Sequence, residues 1–197
     1  TINLGLLTRN FNPGRREQEL LDGIHTGLKT IRETVGQLQE IRSSGRTPKR
    51  RLQVNQVLRR TLGLAAGQLE KSGVIVQVSL ATRLPVLLGN SALLQRAFLN
   101  FVLNACEAMP QGGTLHVHTY FHRGSVYVRF TDTGVGIPPE RLNQIFDVYY
   151  TTKQKSRGSG LGLSIALNLL RQHDGEVYVK SRPGNGTSFT IKLPAAG

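Results

Sequence analysis

The chain has 197 residues, of which 39% are hydrophobic, and its 25 lysines and arginines against 12 aspartates and glutamates give a net charge of +13. This composition excludes a disordered chain, and the sequence holds neither an apolar run long enough to span a bilayer nor a signal-peptide pattern. The single cysteine, Cys106, excludes intrachain disulfides and favours a reducing cytoplasm.

The positive charge would suit a nucleic acid, a membrane surface or a strongly acidic protein partner. The basic residues are spread along the chain, apart from the run "RTPKRR" at 46–51. Neither zinc-finger spacing nor an alternation of basic and aromatic residues accompanies them. We therefore expect no nucleic-acid partner and no membrane contact by this chain.

Residues 1–45 are predicted to form a helical hairpin, in which "NPGRRE" (12–17) is the turn. Its second helix has an apolar seam at spacings of three and four, made by Leu21, Ile24, Leu28, Ile31, Val35 and Leu38. A hairpin is too thin to cover such a seam, so dimerisation into a four-helix bundle is expected. The alternative is that the hairpin folds back on the following domain.

Residues 46–51 are predicted to be a linker, and residues 52–197 a second domain of the α+β class. Strands in adjacent pairs with helices grouped between them predict an α/β sandwich that has a mixed sheet and one helical layer. In chain order the patterns predict a helix over 52–73, strands over 74–80 and 84–89, a helix over 91–109, a hairpin of strands 114–120 and 125–132, a short helix over 139–146, a helix after 160, and a last hairpin of strands 176–181 and 187–194.

Three alternate glycines, Gly158, Gly160 and Gly162, stand directly before the last helical pattern, and three basic residues precede them. A helix start offers unpaired N–H groups and the positive end of the helix dipole, and glycines let a polyphosphate approach the backbone. The pattern therefore indicates a phosphate site, although a flexible loop before an ordinary amphipathic helix would produce it as well.

A second polar cluster lies on the helix predicted over 91–109. Asn100 and Asn104 are four residues apart and share a face, and Glu107 follows about one turn later. An amide on an apolar face costs free energy unless it is bonded. Coordination of Mg²⁺, which favours oxygen ligands shared with phosphates, would explain this pair, and so would polar packing between helices.

A third cluster follows the strand that ends in "FTDTGVGIP". Asp132 is placed to accept a hydrogen bond from the amine of a base, and Gly134 and Gly136 leave room for a flat ring. Thr187, which opens the last strand, is placed to meet the same ring. Taken alone, each of these residues also fits an ordinary turn.

Taken together, these motifs resemble the ATP-binding catalytic domain of sensor histidine kinases, within the GHKL ATPase superfamily. The family fold is the Bergerat α/β sandwich, and the hairpin resembles the second half of the dimerisation and phosphoacceptor domain. The segments "LLQRAFLNFVLNACEAM" (93–109), "DTGVGIP" (132–138), "IFDVYYTTK" (145–153), "GSGLGL" (158–163) and "GNGTSF" (184–189) resemble the N-box, the first glycine box, the F-box, the second glycine box and the last glycine box.

The resemblance implies a site for ATP and Mg²⁺ in which Asn104 is the metal ligand, while Asn100 and Lys153 serve catalysis. Residues 147–159 would form a mobile lid over the nucleotide. Lys155 and Arg157 would stabilise charge or simply be solvated. The implied nucleotide-binding residues are Asn100, Asn104, Glu107, Asp132, Gly134, Gly136, Ile137, Phe146, Thr152, Lys153, Gly158, Ser159, Gly160, Leu161, Gly162, Leu163 and Thr187.

The acceptor histidine of such a kinase is not recognisable, because no histidine here is followed by an acidic residue and a proline at the family's spacing. We do not expect His25 to be the acceptor. We predict that an acceptor histidine lies upstream of Ile2, at a distance of fewer than about ten residues. His116 and His118 share a strand face that we expect to be solvated rather than metal-binding. His173 fits a helix cap.

An amide at position 100 cannot act as the general base that hydrolytic members of the superfamily place there, which favours phosphoryl transfer to a side chain. The predicted function is transfer of the ATP γ-phosphoryl group to the acceptor histidine, for relay to an aspartate of a response regulator. The predicted protein is a cytoplasmic homodimer, or the cytoplasmic part of a membrane-anchored sensor. Two alternatives stay open: an inactive nucleotide-binding scaffold and a serine kinase of the same superfamily.

Overall fold

The computed structural model describes residues 48–147 and 161–196. The chain divides into two units, Thr1–Arg46 and Thr47–Gly197. The predicted hairpin over 1–45, its four-helix bundle and its dimer therefore lie outside the described residues. The fold below is that of the second unit alone.

The second unit contains a five-stranded mixed sheet and a separate two-stranded sheet. In the larger sheet the first pair of strands is parallel and the other three pairs are antiparallel. The predicted mixed sheet is therefore confirmed. Its strands, in spatial order, are β2 (Val74–Leu80), β4 (Gly113–His122), β5 (Ser125–Asp132), β7 (Thr187–Pro194) and β6 (Glu176–Ser181).

The two-stranded sheet changes the predicted domain boundary. Strand β1 (Arg50–Leu52) pairs antiparallel with β3 (Leu87–Gly89). Residues 46–51 were expected to be a linker, but Arg50 and Arg51 already pair with the folded unit. The second strand is also shorter than the predicted 84–89, since Pro85 has no N–H to give to a ladder.

Among residues 48–147 and 161–196, three helices form one helical layer, as predicted: α1 (Val54–Lys71), α2 (Ser91–Ala108) and α3 (Gly162–Arg171). Helix α2 begins where Asn90 caps it, because the Asn90 Oδ1 atom accepts hydrogen bonds from the N–H groups of Ala92 (2.9 Å) and Leu93 (3.3 Å). Within the described residues no helix is long and apolar enough to cross a membrane.

The core lies between the helices and one face of the sheet. Along β5 and β7, the residues that face the helices are buried, and those on the other face are at least partly exposed apart from Ser125 at the start of β5, the alternation of a sheet covered on one side. The ring of Phe101 in α2 stacks on Phe130 at 5.7 Å and meets Phe189 at 5.2 Å. Such aromatic pairs add about 0.5–1.5 kcal/mol each beyond the burial of their area, so α2 is fixed firmly on the sheet.

The prediction of a short helix over 139–146 is wrong. Only Pro139–Arg141 form a helical turn, of the 3₁₀ type, and turns follow as far as Phe146. Prolines favour the start of a helix, but so short a segment does not offset the cost of helix nucleation. Ile145 and Phe146, which gave the segment its apolar end, pack on the core instead.

Candidate nucleotide site

Asn100, the first residue of the amide pair predicted on α2, lies beside the start of α3. The Asn100 Nδ2 atom is buried and has no hydrogen-bond partner. A Cβ placed on Gly162, the first residue of α3, would lie 3.9 Å from Asn100 Oδ1. Asn104, one turn along the same face, is half-buried, and its side chain makes no hydrogen bond with another described residue. The Asn100 Nδ2 atom and the Asn104 amide therefore have no partner within the described part of the chain, and Asn100 lies beside the N-terminus of α3.

A buried carboxylate forms the second part of the site. Asp132 ends β5 and is only 3% exposed. Its Oδ1 atom accepts hydrogen bonds from the N–H groups of Gly134 (2.9 Å) and Thr187 (3.1 Å). Burial raises the pKa of this carboxyl, and the two N–H bonds act against that rise. Because both bonds fall on Oδ1, the Oδ2 atom is left as an acceptor among the described residues.

A serine that the sequence patterns did not identify connects the pieces around Asp132. The Ser181 Oγ atom, at the end of β6, accepts a hydrogen bond from the Ile137 N–H (2.8 Å) and donates one to the Gly186 carbonyl (2.9 Å). It also lies 2.9 Å from the Thr187 hydroxyl. Ser181 and Thr187 are opposite each other in the β6–β7 hairpin, so the strand register alone could have found this hydroxyl pair.

The two glycines of the first glycine box are required by contacts within the protein. A side chain at Gly134 would collide with the Ala108 carbonyl at the end of α2, and one at Gly136 with the Arg182 carbonyl. Gly136 also has a φ of 71°, which favours glycine. We expected these glycines to leave room for a flat ring. The structure gives a second reason for them, which is close packing of the loop on α2 and on the β6–β7 turn.

The remaining predicted residues divide into described and undescribed ones. Phe146 packs edge-on against Phe189, with 6.4 Å between ring centroids, Leu161 is buried just before α3, and Leu163 packs on the core. Glu107 is exposed in the last turn of α2. The predicted lid residues Thr152, Lys153, Lys155, Arg157, Gly158 and Ser159, and the predicted nucleotide-binding residue Gly160, lie outside the described residues.

The described histidines belong to no cluster of metal-ligand type. His116 and His118 are exposed, and His118 stacks on Tyr120 at 5.3 Å. Residues 48–147 and 161–196 contain no group of three or more His, Cys, Asp or Glu side chains that could hold a metal ion. His173 is buried after α3, with its Nδ1 atom 2.7 Å from the Leu169 carbonyl and its Nε2 atom accepting the Asn90 N–H at 2.9 Å.

A cleft of about 280 Å³ opens elsewhere in the unit, at the start of α1. It contains none of the predicted nucleotide-binding residues. Its lining residues are Arg51, Leu52, Gln53, Gln56, Val57, Arg60, Val86 and Ser91. This cleft is therefore separate from the residues predicted to bind a nucleotide.

The side chains of the site fit a nucleotide with a divalent cation. The acceptor oxygen of Asp132 suits an exocyclic amine, and the carbonyl oxygen of an asparagine amide suits Mg²⁺. The buried and unpaired Nδ2 atom of Asn100 is costly unless a ligand satisfies it, which is a sign of a binding function. The start of α3 nearby is favourable for phosphate.

Comparison with known proteins identifies the family. The profile described as "Histidine kinase-, DNA gyrase B-, and HSP90-like ATPase" matches residues 89–197, more than half of the chain. Sporulation kinase E of Bacillus subtilis (strain 168) is 34% identical over 142 residues, which cover 72% of this chain and 19% of that protein. The chain spans about a fifth to a third of the length of three such curated relatives, with coverages of 19%, 24% and 33%.

Two solved structures have the same fold. Full-length ShkA in complex with AMPPNP has a TM-score of 0.75 at 22% identity, over 96% of this chain and 41% of that one. Histidine kinase ThkA in complex with the response regulator protein TrrA has a TM-score of 0.73 at 19% identity, over 98% of this chain and 55% of that one. The α+β fold with its mixed sheet and helical layer is thus Bergerat-like. The chain belongs to the family of histidine kinase-, DNA gyrase B- and HSP90-like ATPases, and it contains an ATP-binding catalytic domain of the sensor histidine kinase type.

Proposed function

We propose that this chain binds ATP with Mg²⁺ and transfers the γ-phosphoryl group to a histidine, from which it passes to an aspartate of a response regulator. The observation that carries the proposal is the buried Nδ2 atom of Asn100, which has no partner among the described residues, on a side chain that lies beside the first residue of α3. An unbonded amide in a folded domain calls for a ligand, and the neighbouring groups favour a triphosphate.

The base of the nucleotide would lie at Asp132 and Thr187. Both are 3% exposed, and both lie on the face of the sheet that is turned toward the helices. Asp132 Oδ2 would accept a hydrogen bond from the amine of adenine. Ile137 and Phe146 would supply apolar contact at the edge of this pocket, since both pack on the core while staying partly exposed.

The phosphates would lie between α2 and the start of α3. Asn104 would hold Mg²⁺ through its side-chain oxygen, and the bound cation would neutralise phosphate charge. Asn100 would bond to the same region through its unpaired Nδ2 atom. Neither amide can remove a proton from water, so these residues favour transfer to a protein nucleophile over hydrolysis. Lys153 would add positive charge from the lid.

The wider role of the protein is part of the same proposal. ThkA, which has this fold, was solved with a response regulator protein, and this supports a receiver domain as the partner here. Dimerisation through the predicted hairpin would bring an acceptor histidine and a nucleotide site into one assembly. We place the protein in the cytoplasm, where ATP is available.

Nucleotide-binding calorimetry tests the site. The full chain should bind ATP more tightly with Mg²⁺ than without it, and Asn104→Ala should lose about 10- to 100-fold in affinity only when Mg²⁺ is present. Asn168→Ala, which removes an exposed asparagine from α3, is the matched control and should bind as the wild type does. Equal affinity for ATP with and without Mg²⁺ would contradict the proposal.

A transfer assay separates the kinase from an inactive nucleotide-binding module, which is the rival function favoured by the lack of a recognisable acceptor motif. The chain is incubated with γ-labelled ATP and with an isolated dimerisation and phosphoacceptor domain of a histidine kinase. Acid-labile label on that domain, absent with Asn104→Ala, supports the kinase. Tight ATP binding without any transfer supports the rival function.

A further inference from the structure

We infer that Ser181 is a specificity-determining positioning residue, which orients the Thr187 hydroxyl so that the base pocket presents only acceptors and selects a 6-amino purine over a 6-oxo purine. The inference rests on the proposed function, because it assigns a base to the pocket. Neither the sequence motifs nor the relatives' names point to Ser181. The hydrogen bonds around it carry the inference.

The single proton of the Ser181 hydroxyl is committed to a carbonyl. A hydroxyl has one donor and two acceptor sites. The Gly186 carbonyl can only accept, so Ser181 donates to it over 2.9 Å. The Ile137 N–H can only donate, and it fills one acceptor site of Ser181 over 2.8 Å. The bond to Thr187, at 2.9 Å between the two oxygens, must therefore use the Thr187 proton.

This assignment fixes what Thr187 offers to a ligand. With its proton directed at Ser181, the Thr187 oxygen can only accept. The backbone N–H of Thr187 donates a hydrogen bond to Asp132 Oδ1 at 3.1 Å, so Thr187 lies beside the carboxylate. Asp132 Oδ2 is an acceptor too while the carboxyl is ionised. Two adjacent acceptors suit an amine and oppose a carbonyl oxygen, because an acceptor placed against an acceptor leaves both unbonded.

Removal of the Ser181 hydroxyl should relax this selection. In Ser181→Ala the Thr187 proton loses its partner and becomes free to turn toward a ligand. Inosine triphosphate, which carries an oxygen where ATP carries the amine, should then gain a donor. We expect the ratio of ATP affinity to inosine triphosphate affinity to fall about 3- to 10-fold, the effect of one neutral hydrogen bond.

The affinity ratio distinguishes orientation of Thr187 from simple support of the fold. If Ser181 only holds the loops in place, Ser181→Ala should weaken both nucleotides alike and leave the ratio unchanged. Ser181→Thr keeps a hydroxyl and should restore the wild-type ratio. The matched control is Ser188→Ala, which removes a hydroxyl–hydroxyl contact of the same length, 2.9 Å to Thr131, on the other face of the sheet. It should leave the ratio unchanged.

The experiment is competition calorimetry with ATP and inosine triphosphate on the full chain. A double-mutant cycle guards against misfolding of one variant: in a Thr187→Val background, which has no hydroxyl to orient, adding Ser181→Ala should not change the ratio further. A fall of the ratio in Ser181→Ala alone, reversed in Ser181→Thr, supports the inference. An unchanged ratio in Ser181→Ala, in a chain that binds ATP and discriminates against inosine triphosphate, overturns it and leaves the proposed function standing. Failure of the wild type to bind ATP overturns both.

Discussion

Replacement of Asn100 by leucine should stabilise the ligand-free domain while removing its response to nucleotide. The Asn100 Nδ2 atom is buried without a partner. Such a group costs about 1–3 kcal/mol of folding free energy, and leucine has nearly the same size without the polar atoms. The gain would be a large fraction of a total stability of about 5–15 kcal/mol.

Urea denaturation measures this change. With a denaturant slope of about 2 kcal/mol per M, the expected 1–3 kcal/mol moves the midpoint of Asn100→Leu up by about 0.5–1.5 M. ATP at about 100 times its dissociation constant should add about 2.7 kcal/mol to the wild type, and most of that increment should disappear in the variant.

Asn55→Leu in α1 is the matched control, because the amide of Asn55 is fully engaged. Its Nδ2 atom donates to the Ala81 carbonyl at 2.8 Å, and its Oδ1 atom accepts from the Thr119 hydroxyl at 3.1 Å. This substitution should destabilise the domain by about 1–3 kcal/mol and leave the ATP increment intact. If Asn100→Leu is destabilised as much as Asn55→Leu, the Asn100 amide has a partner in solution and the reasoning is refuted.

Three further predictions test the packing and the titrating groups. Gly186→Ala should lower the free energy of unfolding, measured in urea, by about 2–5 kcal/mol, because backbone strain at a φ of 78° adds to a collision with the main chain of Asp132. Gly184→Ala, with a φ of 76° and open space around it, should lose only the strain energy of about 1–2 kcal/mol. Equal losses in the two variants would show that the collision is relieved. Burial lowers the pKa of His173 below 6.5, so the unfolded chain takes up the proton first, and stability should fall as the pH drops below 6.5, by up to about 1.4 kcal/mol per pH unit. His173→Gln, which keeps an acceptor for the Asn90 N–H, should flatten that slope in urea midpoints measured at several pH values, and an unchanged slope would assign it to other groups. Burial raises the pKa of Asp132 above 3.8, so the proposed pocket loses its ionised acceptor as the pH falls through that raised value. ATP affinity, measured by calorimetry, should fall in that pH range in the wild type and not in Asp132→Asn. Parallel pH profiles for the two proteins would argue against a role for the carboxylate.

Much of this fold could be predicted from the sequence, because long elements have clear periodicity. The helix expected over 91–109 is Ser91–Ala108, and the strands expected over 74–80, 125–132, 176–181 and 187–194 have those bounds. The short elements were harder. The segment over 139–146 has a helical apolar pattern, yet tertiary contacts of Ile145 and Phe146 account for it.

The candidate site shows a similar division. The amide pair and Asp132 could be identified as candidates from the sequence, because a polar residue within an apolar pattern is visible without a structure. No motif identified Ser181: its contact with Thr187 follows from the register of the predicted hairpin, but its bond to the Ile137 N–H, 44 residues away, is formed only in the folded domain. The role of the glycines in admitting a ring stays a prediction, and the structure adds a need for Gly134 that is set by Ala108 on α2, a contact that no local pattern encodes.

The two ends of the site differ in how completely their polar groups are bonded, and this difference has a consequence for binding. Around Asp132 the N–H groups of Gly134, Ile137 and Thr187 all have partners, so the proposed base pocket is held in place before any ligand arrives. At Asn100 a buried donor has none, so a phosphate or metal-bound water that meets it removes an existing penalty of folding. The base end should therefore set which nucleotide binds, through fixed acceptors, while the phosphate end should set how much binding stabilises the domain.

Adenosine, which reaches only the base end, should accordingly raise the urea midpoint equally in the wild type and in Asn100→Leu, whereas ATP should separate them. If adenosine separates them as well, the two ends are not independent, and the division of roles proposed here fails.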